Sequence, residues 1–234
     1  ITSYNANMIS NEVFIDSATL RENVVALARN IGYVPRSKKS SRASISFFVD
    51  ISDVSPTPAN LTLKAGPVTT TGGRFNNQSF TFGIPEDKTV SVVDGVANFD
   101  DIEVYEGSYL SQTYVYSTRN KFQKFILPNV GIDLDSLVVS VRPSVDSSVS
   151  TKYSRQDELF DTITKSTITG NSNIYFIQEV EGEQYEVIFG DGVFGKELQD
   201  GNIVEMTYIV TNGSDGNGVN SFTFSGSVSY VRNS

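Results

Sequence analysis

The chain of 234 residues contains no cysteine and no histidine. Those two absences exclude disulfides, thiolate nucleophiles, an imidazole general base and the commonest zinc ligands. Any catalysis would have to rest on carboxylates, Lys, Tyr or Ser. No apolar run approaches the roughly 18–20 residues that a membrane helix requires, and no charged-then-apolar leader reads as a signal peptide. The first residue is Ile1, not an initiator Met, and Ser234 ends a polar stretch, so both ends read as cuts through a longer polypeptide.

Positive charge is also in short supply. Lys and Arg number 18 against 27 Asp and Glu, giving a net charge of -9 and a pI of about 4.6. An acidic surface repels phosphate backbones, which argues against nucleic-acid binding over a broad face. The basic cluster Arg36-Ser37-Lys38-Lys39-Ser40-Ser41-Arg42 reads as a solvated loop after a helix, or as a contact for an acidic partner.

What is present points to strands. Hydrophobic residues make up 38% of the chain, too many for disorder, and aromatic residues mix with Ser, Thr, Asn and Gly as in strands joined by turns. The exception lies near the start. Leu20, Val24, Leu27 and Ile31 form one apolar stripe at helical spacing. Thr19 with Glu22 fits a capping box, while Gly32 and Pro35 end the helix. Tyr4, Met8, Asn11 and Ile15 continue a similar row upstream. The stripe serves either as an interface for partner helices or as packing against the chain's own β domain.

After Arg42 the period becomes two. Ile45, Phe47, Val49 and Ile51 alternate with Ser44, Ser46, Phe48 and Asp50, which predicts a half-buried strand. Further strands are predicted at 60–64, 79–84, 89–93, 103–105, 113–117, 124–127 and 136–142. Turn signals at Pro56-Thr57-Pro58, Gly72-Gly73, Asp94-Gly95 and Glu106-Gly107 separate several of them. Residues 144–155 read as a Ser-rich loop and 156–164 as a short helix. Strands follow at 173–178, 184–189, 203–211 and 221–224, with Glu181-Gly182-Glu183 as a hairpin link. The expected fold is mainly β (α+β): antiparallel, sandwich-like β units with a helical N-terminal arm. The arm covers residues 1–42, a β domain 43–130, and a second β domain 131–234.

The densest motif is Phe189-Gly190-Asp191-Gly192-Val193-Phe194-Gly195-Lys196. It satisfies both G-x-G-x-x-G and G-x-x-x-x-G-K spacing, but either phosphate loop requires a helix next, whose N-terminus supplies oriented N–H groups. Residues 197–202 are too few for one, and Glu197 stands where a magnesium-binding hydroxyl would be. The glycines are therefore expected to permit a sharp turn, with Phe189 and Phe194 in the core and Asp191 bonding local N–H groups. A second stretch, Thr211-Asn212-Gly213-Ser214-Asp215-Gly216-Asn217-Gly218, offers oxygens to a hard cation. With one carboxylate and no closing Glu, it reads better as a wide turn. The carboxylate neighbours Asp100 with Asp101, and Asp157, Glu158 and Asp161, read as solvated faces or helix support.

Two blocks of sequence belong together. One runs Tyr4-Asn5-Ala6 to Phe14, then Thr19-Leu20-Arg21, Val24-Val25, Ala28, Gly32-Tyr33-Val34-Pro35 and Arg36-Ser37. The other is Tyr185 to Lys196, followed by Leu198, Asp200-Gly201-Asn202, Tyr208 and Thr211-Asn212-Gly213. In this order they resemble the baseplate wedge subunit of T-even-type contractile-tailed bacteriophages and the wider baseplate J-like family; residues 54–130 lie outside the match. The resemblance implies a non-enzymatic structural protein of the virion. It would bind other baseplate wedge proteins and a second copy of itself, and hold the baseplate before sheath contraction. It implies no cofactor, metal, small-molecule substrate, nucleic acid or membrane, and assembly in the host cytoplasm. The alternative is a carbohydrate-binding or adhesin β module, which would display Tyr105, Tyr109, Tyr114 and Tyr116 together at the surface. A carboxylate-based glycan hydrolase would need two acids across a cleft.

Overall fold

The computed structural model describes residues 37–71, 78–120, 122–156 and 168–230. The predicted helix of Leu20, Val24, Leu27 and Ile31 lies outside them, as does nearly all of the helix expected at 156–164. The described chain is mainly β, with two sheets, and its helical content is one 3-10 turn at Ser214–Gly216.

The strands of the first sheet are β1 (Arg42–Asp50), β2 (Asn60–Leu63), β3 (Gly66–Thr71), β4 (Thr81–Ile84), β5 (Lys88–Val93), β6 (Val96–Glu106), β14 (Phe222–Phe224) and β15 (Val228–Ser229). Their order is β14-β3-β4-β6-β5-β2-β15, with β1 paired to β6 off that path. The two ends of the order are consecutive in the chain. Residues 225–227 join β14 to β15, and the Ser225 N–H donates to Val68 O while Lys64 N–H donates to Ser227 O. The sheet therefore nearly closes into a barrel, where a sandwich-like layer was expected. Leu61, Leu63, Val68, Phe82, Ile84, Phe99 and Val104 fill its interior.

The second sheet takes β7 (Ser108–Val115), β8 (Phe125–Leu127), β9 (Ile132–Arg142), β10 (Thr151–Arg155), β11 (Ile174–Val180), β12 (Gln184–Phe189) and β13 (Ile203–Val210). Its order is β7-β13-β9-β10-β11-β12-β8. The residues divide into two compact units: one of 114–130 and 140–204, the other of 37–113, 131–139 and 205–230. The division is discontinuous in sequence.

Local chemistry explains both the successes and the misses of the reading. Asp94 and Gly95 have φ of 51° and 80°, the pair of positive values that a tight hairpin between β5 and β6 requires. β11 and β12 pair antiparallel across Glu181–Glu183, as expected. β6 is far longer than the predicted 103–105 because its alternation breaks at Asp100-Asp101. Partners shift from Ile45↔Ile102 to Phe47↔Phe99, so β6 carries one extra residue there. Asp101 adopts φ of 51° and donates its N–H to Ser46 Oγ at 3.0 Å. The adjacent carboxylates thus mark a β-bulge.

No strand was predicted at β3, which opens on Gly66 and Pro67, residue types depleted in strands. Proline sits where the register with β4 shifts, a position that needs no ladder donor. The loop expected at 144–155 contains β10, which pairs parallel to β11 and buries only Tyr153 among its five residues. One buried residue in a Ser-rich run leaves no visible period.

Candidate functional site

β12 delivers the chain into the glycine-rich turn of the unit formed by 114–130 and 140–204. There Asp191 Oδ1 accepts the N–H groups of Val193 and Phe194, each at 2.9 Å. Gly192 N–H donates to Gly195 O at 3.0 Å, Gly195 N–H to Thr169 O at 3.1 Å, and Lys196 N–H to Ser172 O at 2.8 Å. Every backbone donor from 192 to 196 is thereby engaged within the protein. A phosphate cradle needs such donors aimed outward at the anion. This turn aims them at itself.

Two of the glycines are there for close approach. A Cβ on Gly190 would lie 2.1 Å from the carbonyl carbon of Gly195. One on Gly195, whose φ is +86°, would lie 2.8 Å from Ile174 Cγ1. Residues 197–202 form no helix, and β13 starts at Ile203. Phe189 is half-buried, edge-to-face with Phe125 at 5.3 Å and with Tyr153 at 5.5 Å. Phe194 departs from the expectation: it is 49% exposed and its neighbour Val193 64%. With their N–H groups drawn to Asp191, both side chains splay outward at the tip. The backbone hydrogen bonds from Phe194 and Val193 hold the Asp191 carboxyl below its ordinary 3.8.

Beside the turn, in the same unit, lies an open cleft of about 260 Å³. Tyr116, Phe125 and Phe189 supply aromatic lining, and Glu186, Asp191 and Glu197 supply carboxylates. Glu186 is buried and accepts from Gln178 Nε2 at 2.7 Å, with Lys124 Nζ at 3.8 Å. A hydrolytic pair would need one carboxylic acid kept protonated near neutral pH. Asp191 is shifted the opposite way. Its chemistry is that of a fixed anion ordering its own loop.

The Asn- and Gly-rich stretch belongs to the other unit, and its anchor is a residue that the sequence reading treated as part of a turn. Glu106, at the end of β6, is 2% exposed. Its Oε2 accepts from Thr211 Oγ1 at 2.7 Å and from the Asn212 N–H at 3.2 Å, and its Oε1 from Asn212 Nδ2 at 2.9 Å. The expected wide turn is thus tied to a buried carboxylate. Among the described residues no group of three or more Asp or Glu could hold a metal ion.

The same unit neutralises much of the basic cluster. The Ser40 N–H donates to the fully buried Asp133 at 2.9 Å, Arg42 Nη2 donates to Asp135 at 2.9 Å, and Lys39 also pairs with Asp135. Burial alone would raise the Asp135 carboxyl, but the bonds from Lys39 and Arg42 outweigh it and hold it low. Asp133 and Asp135 were missed because they sit within a strand otherwise rich in Leu and Val. A buried Asp flanked by Ile132 and Leu134 was the available signal.

The four tyrosines expected of a sugar platform are all half-buried. The Tyr105 ring carries the Arg42 guanidinium 4.8 Å from its centroid, and its hydroxyl donates to Glu103 at 2.9 Å. Burial and the Glu103 bond push that phenol up to about 12. Tyr114 donates to Ile126 O at 2.6 Å and meets Phe125 edge-on. Tyr105 and Tyr114 are thus held against strands β1 and β8.

The sequence matches no protein-family model and no curated protein.

Proposed function

We propose that the chain is a structural component of a contractile-tail baseplate wedge, working through protein–protein contacts. Its partners are other wedge proteins and a second copy of itself, its place is the virion, and it holds the baseplate before sheath contraction. In this reading Leu20, Val24, Leu27 and Ile31 serve as an interface stripe. The β units provide surfaces for those contacts.

The observation that carries the non-catalytic half of this reading is the self-contained turn at 190–196. The segment most like a nucleotide loop has its backbone donors occupied by Asp191, Gly195, Thr169 and Ser172. The baseplate half rests on the two ordered blocks of resemblance, Tyr4–Ser37 and Tyr185–Gly213. Particles built from many copies gain cohesion from buried interfaces and added strands, which β units can supply.

The test is light scattering coupled to size-exclusion chromatography of the chain mixed with wedge proteins of a contractile tail. Co-elution at the summed mass supports the reading. Separate elution from every one of them contradicts it.

A further inference from the structure

The open cleft beside the 190–196 turn combines aromatic walls with negative charge. Phe125 meets Tyr116 at 6.3 Å and Phe189 at 5.3 Å between ring centroids, so three rings form one continuous surface. Glu186, Asp191 and Glu197 also line the cleft, and among the described residues no Lys or Arg does. Its volume of about 260 Å³ falls below the roughly 300–1,000 Å³ of pockets that hold drug-sized molecules. The scale suits a single side chain.

Some of the polar lining is committed within the fold. Gln123 donates to Val115 O and accepts the Ser117 N–H, and Asp191 Oδ1 orders the turn. Two carboxylates keep acceptor capacity. Glu197 is exposed and, among the described residues, has no hydrogen bond or ion pair. Glu186 is 8% exposed, yet both of its contacts fall on Oε2: Gln178 Nε2 at 2.7 Å and Lys124 Nζ at 3.8 Å. Its Oε1 has no partner among the described residues. A carboxylate withdrawn this far from water gains most from a charged donor, because its hydration is already lost.

Apart from the Tyr116 hydroxyl, the side chains of the cleft leave only acceptors open. An anion is repelled there, and a sugar finds few donors for its own oxygens. A guanidinium matches the lining: it carries five N–H donors and no acceptor, and its plane stacks on aromatic faces. An ammonium is more strongly hydrated and loses more on leaving water.

We infer that this cleft receives an arginine side chain from a partner protein, the guanidinium lying against the aromatic surface and donating to Glu186 Oε1 and to Glu197. Exposed apolar residues lie close by in the chain. Phe122, 89% exposed, precedes Gln123, while Val193 and Phe194 follow Asp191. They supply surface for the residues flanking the arginine.

The inference names the chemistry of one partner contact within the proposed function, and rests on that reading for the partner being a protein. The probe is N-acetyl-arginine amide, titrated into the isotope-labelled chain and followed through backbone amide resonances. N-acetyl-citrulline amide, similar in shape but uncharged, and methyl glucoside are the comparisons. Arginine should move the amides of Ile188, Asp191 and Glu197 along one saturating curve with a Kd on the order of 1 mM. Citrulline should bind roughly fivefold more weakly, having lost the charge-assisted bonds. Glu197→Gln, which removes one charge at an exposed position, should raise the arginine Kd about threefold. Asp146→Asn, exposed and outside the cleft, should leave it unchanged. If a wedge protein co-elutes with the chain but arginine binds no better than citrulline, or the glucoside moves those amides instead, the cleft assignment is wrong and the baseplate reading stands. If arginine binds as described while every wedge protein elutes separately, the cleft stands and the baseplate reading fails.

Discussion

Glu106 takes its hydrogen bonds from neutral donors on Thr211 and Asn212 while almost fully withdrawn from water. A carboxylate so placed depends on every bond it accepts, because removing one leaves buried polar atoms unsatisfied. Glu106→Gln keeps the shape but puts an amide NH2 where an acceptor is required. It should destabilise the fold by about 1–3 kcal/mol, read as a lower urea midpoint with an unchanged slope. The sequence did not disclose this role, since Glu106 stands immediately before Gly107 and looks like the start of a turn. Tyr105 gives a second test at this scale. With its folded pKa raised, the phenol's contribution to stability is complete below pH 10, the ordinary value, and is lost as pH rises through about 12. Tyr105→Phe should therefore remove a step near pH 12 from the tyrosinate absorbance titration. Asp191 runs in the other direction. Its lowered pKa makes the turn's order complete above pH 3.8 and lost as acid protonates it. The amide resonances of Val193 and Phe194 should move together in one titration with a midpoint below 3.8.

Elements were legible wherever a single physical pattern governed them. β1 alternates cleanly because one face meets the barrel core, and the β5–β6 hairpin declares itself through Asp94-Gly95. The turn at 190–196 was read as backbone architecture, from the missing helix after Lys196. Phe194 was placed in the core but lies exposed, because an aromatic residue beside glycines gives no indication of which way the tip faces. β3 and β10 were invisible for opposite reasons: one begins with a Gly-Pro pair, and the other has a single buried side chain. β6 was truncated in the reading by its own bulge. The fit between Gly195 and Ile174 supports a prediction at this level. Gly195→Ala combines an unfavourable positive φ with a contact at 2.8 Å, and should cost about 1–3 kcal/mol. Thermal unfolding monitored by near-ultraviolet circular dichroism would show it, and an unchanged transition would mean that the turn tolerates a side chain.

At the scale of the whole molecule, composition restricted the chemistry more firmly than pattern revealed the fold. The absence of Cys and His and the excess of acid could be read at once, and so could a mainly β chain. Near-closure of the first sheet could not. It depends on Phe222–Phe224 and Val228–Ser229 returning to β3 and β2, across more than 150 residues of chain. Two very short strands carry almost no periodic signal. Units built from discontinuous segments are equally hard to see, since no composition shift marks where the chain leaves one for the other. The proposed function follows from this scale too: a body of strands with its most nucleotide-like loop closed upon itself is suited to offering surfaces to neighbours. Its most direct test is quantitative mass spectrometry of contractile-tailed particles purified from the source of this chain. The account predicts the chain's peptides in a fixed ratio to the baseplate proteins, retained after washing in high salt. Peptides confined to the soluble fraction and missing from intact particles would contradict it.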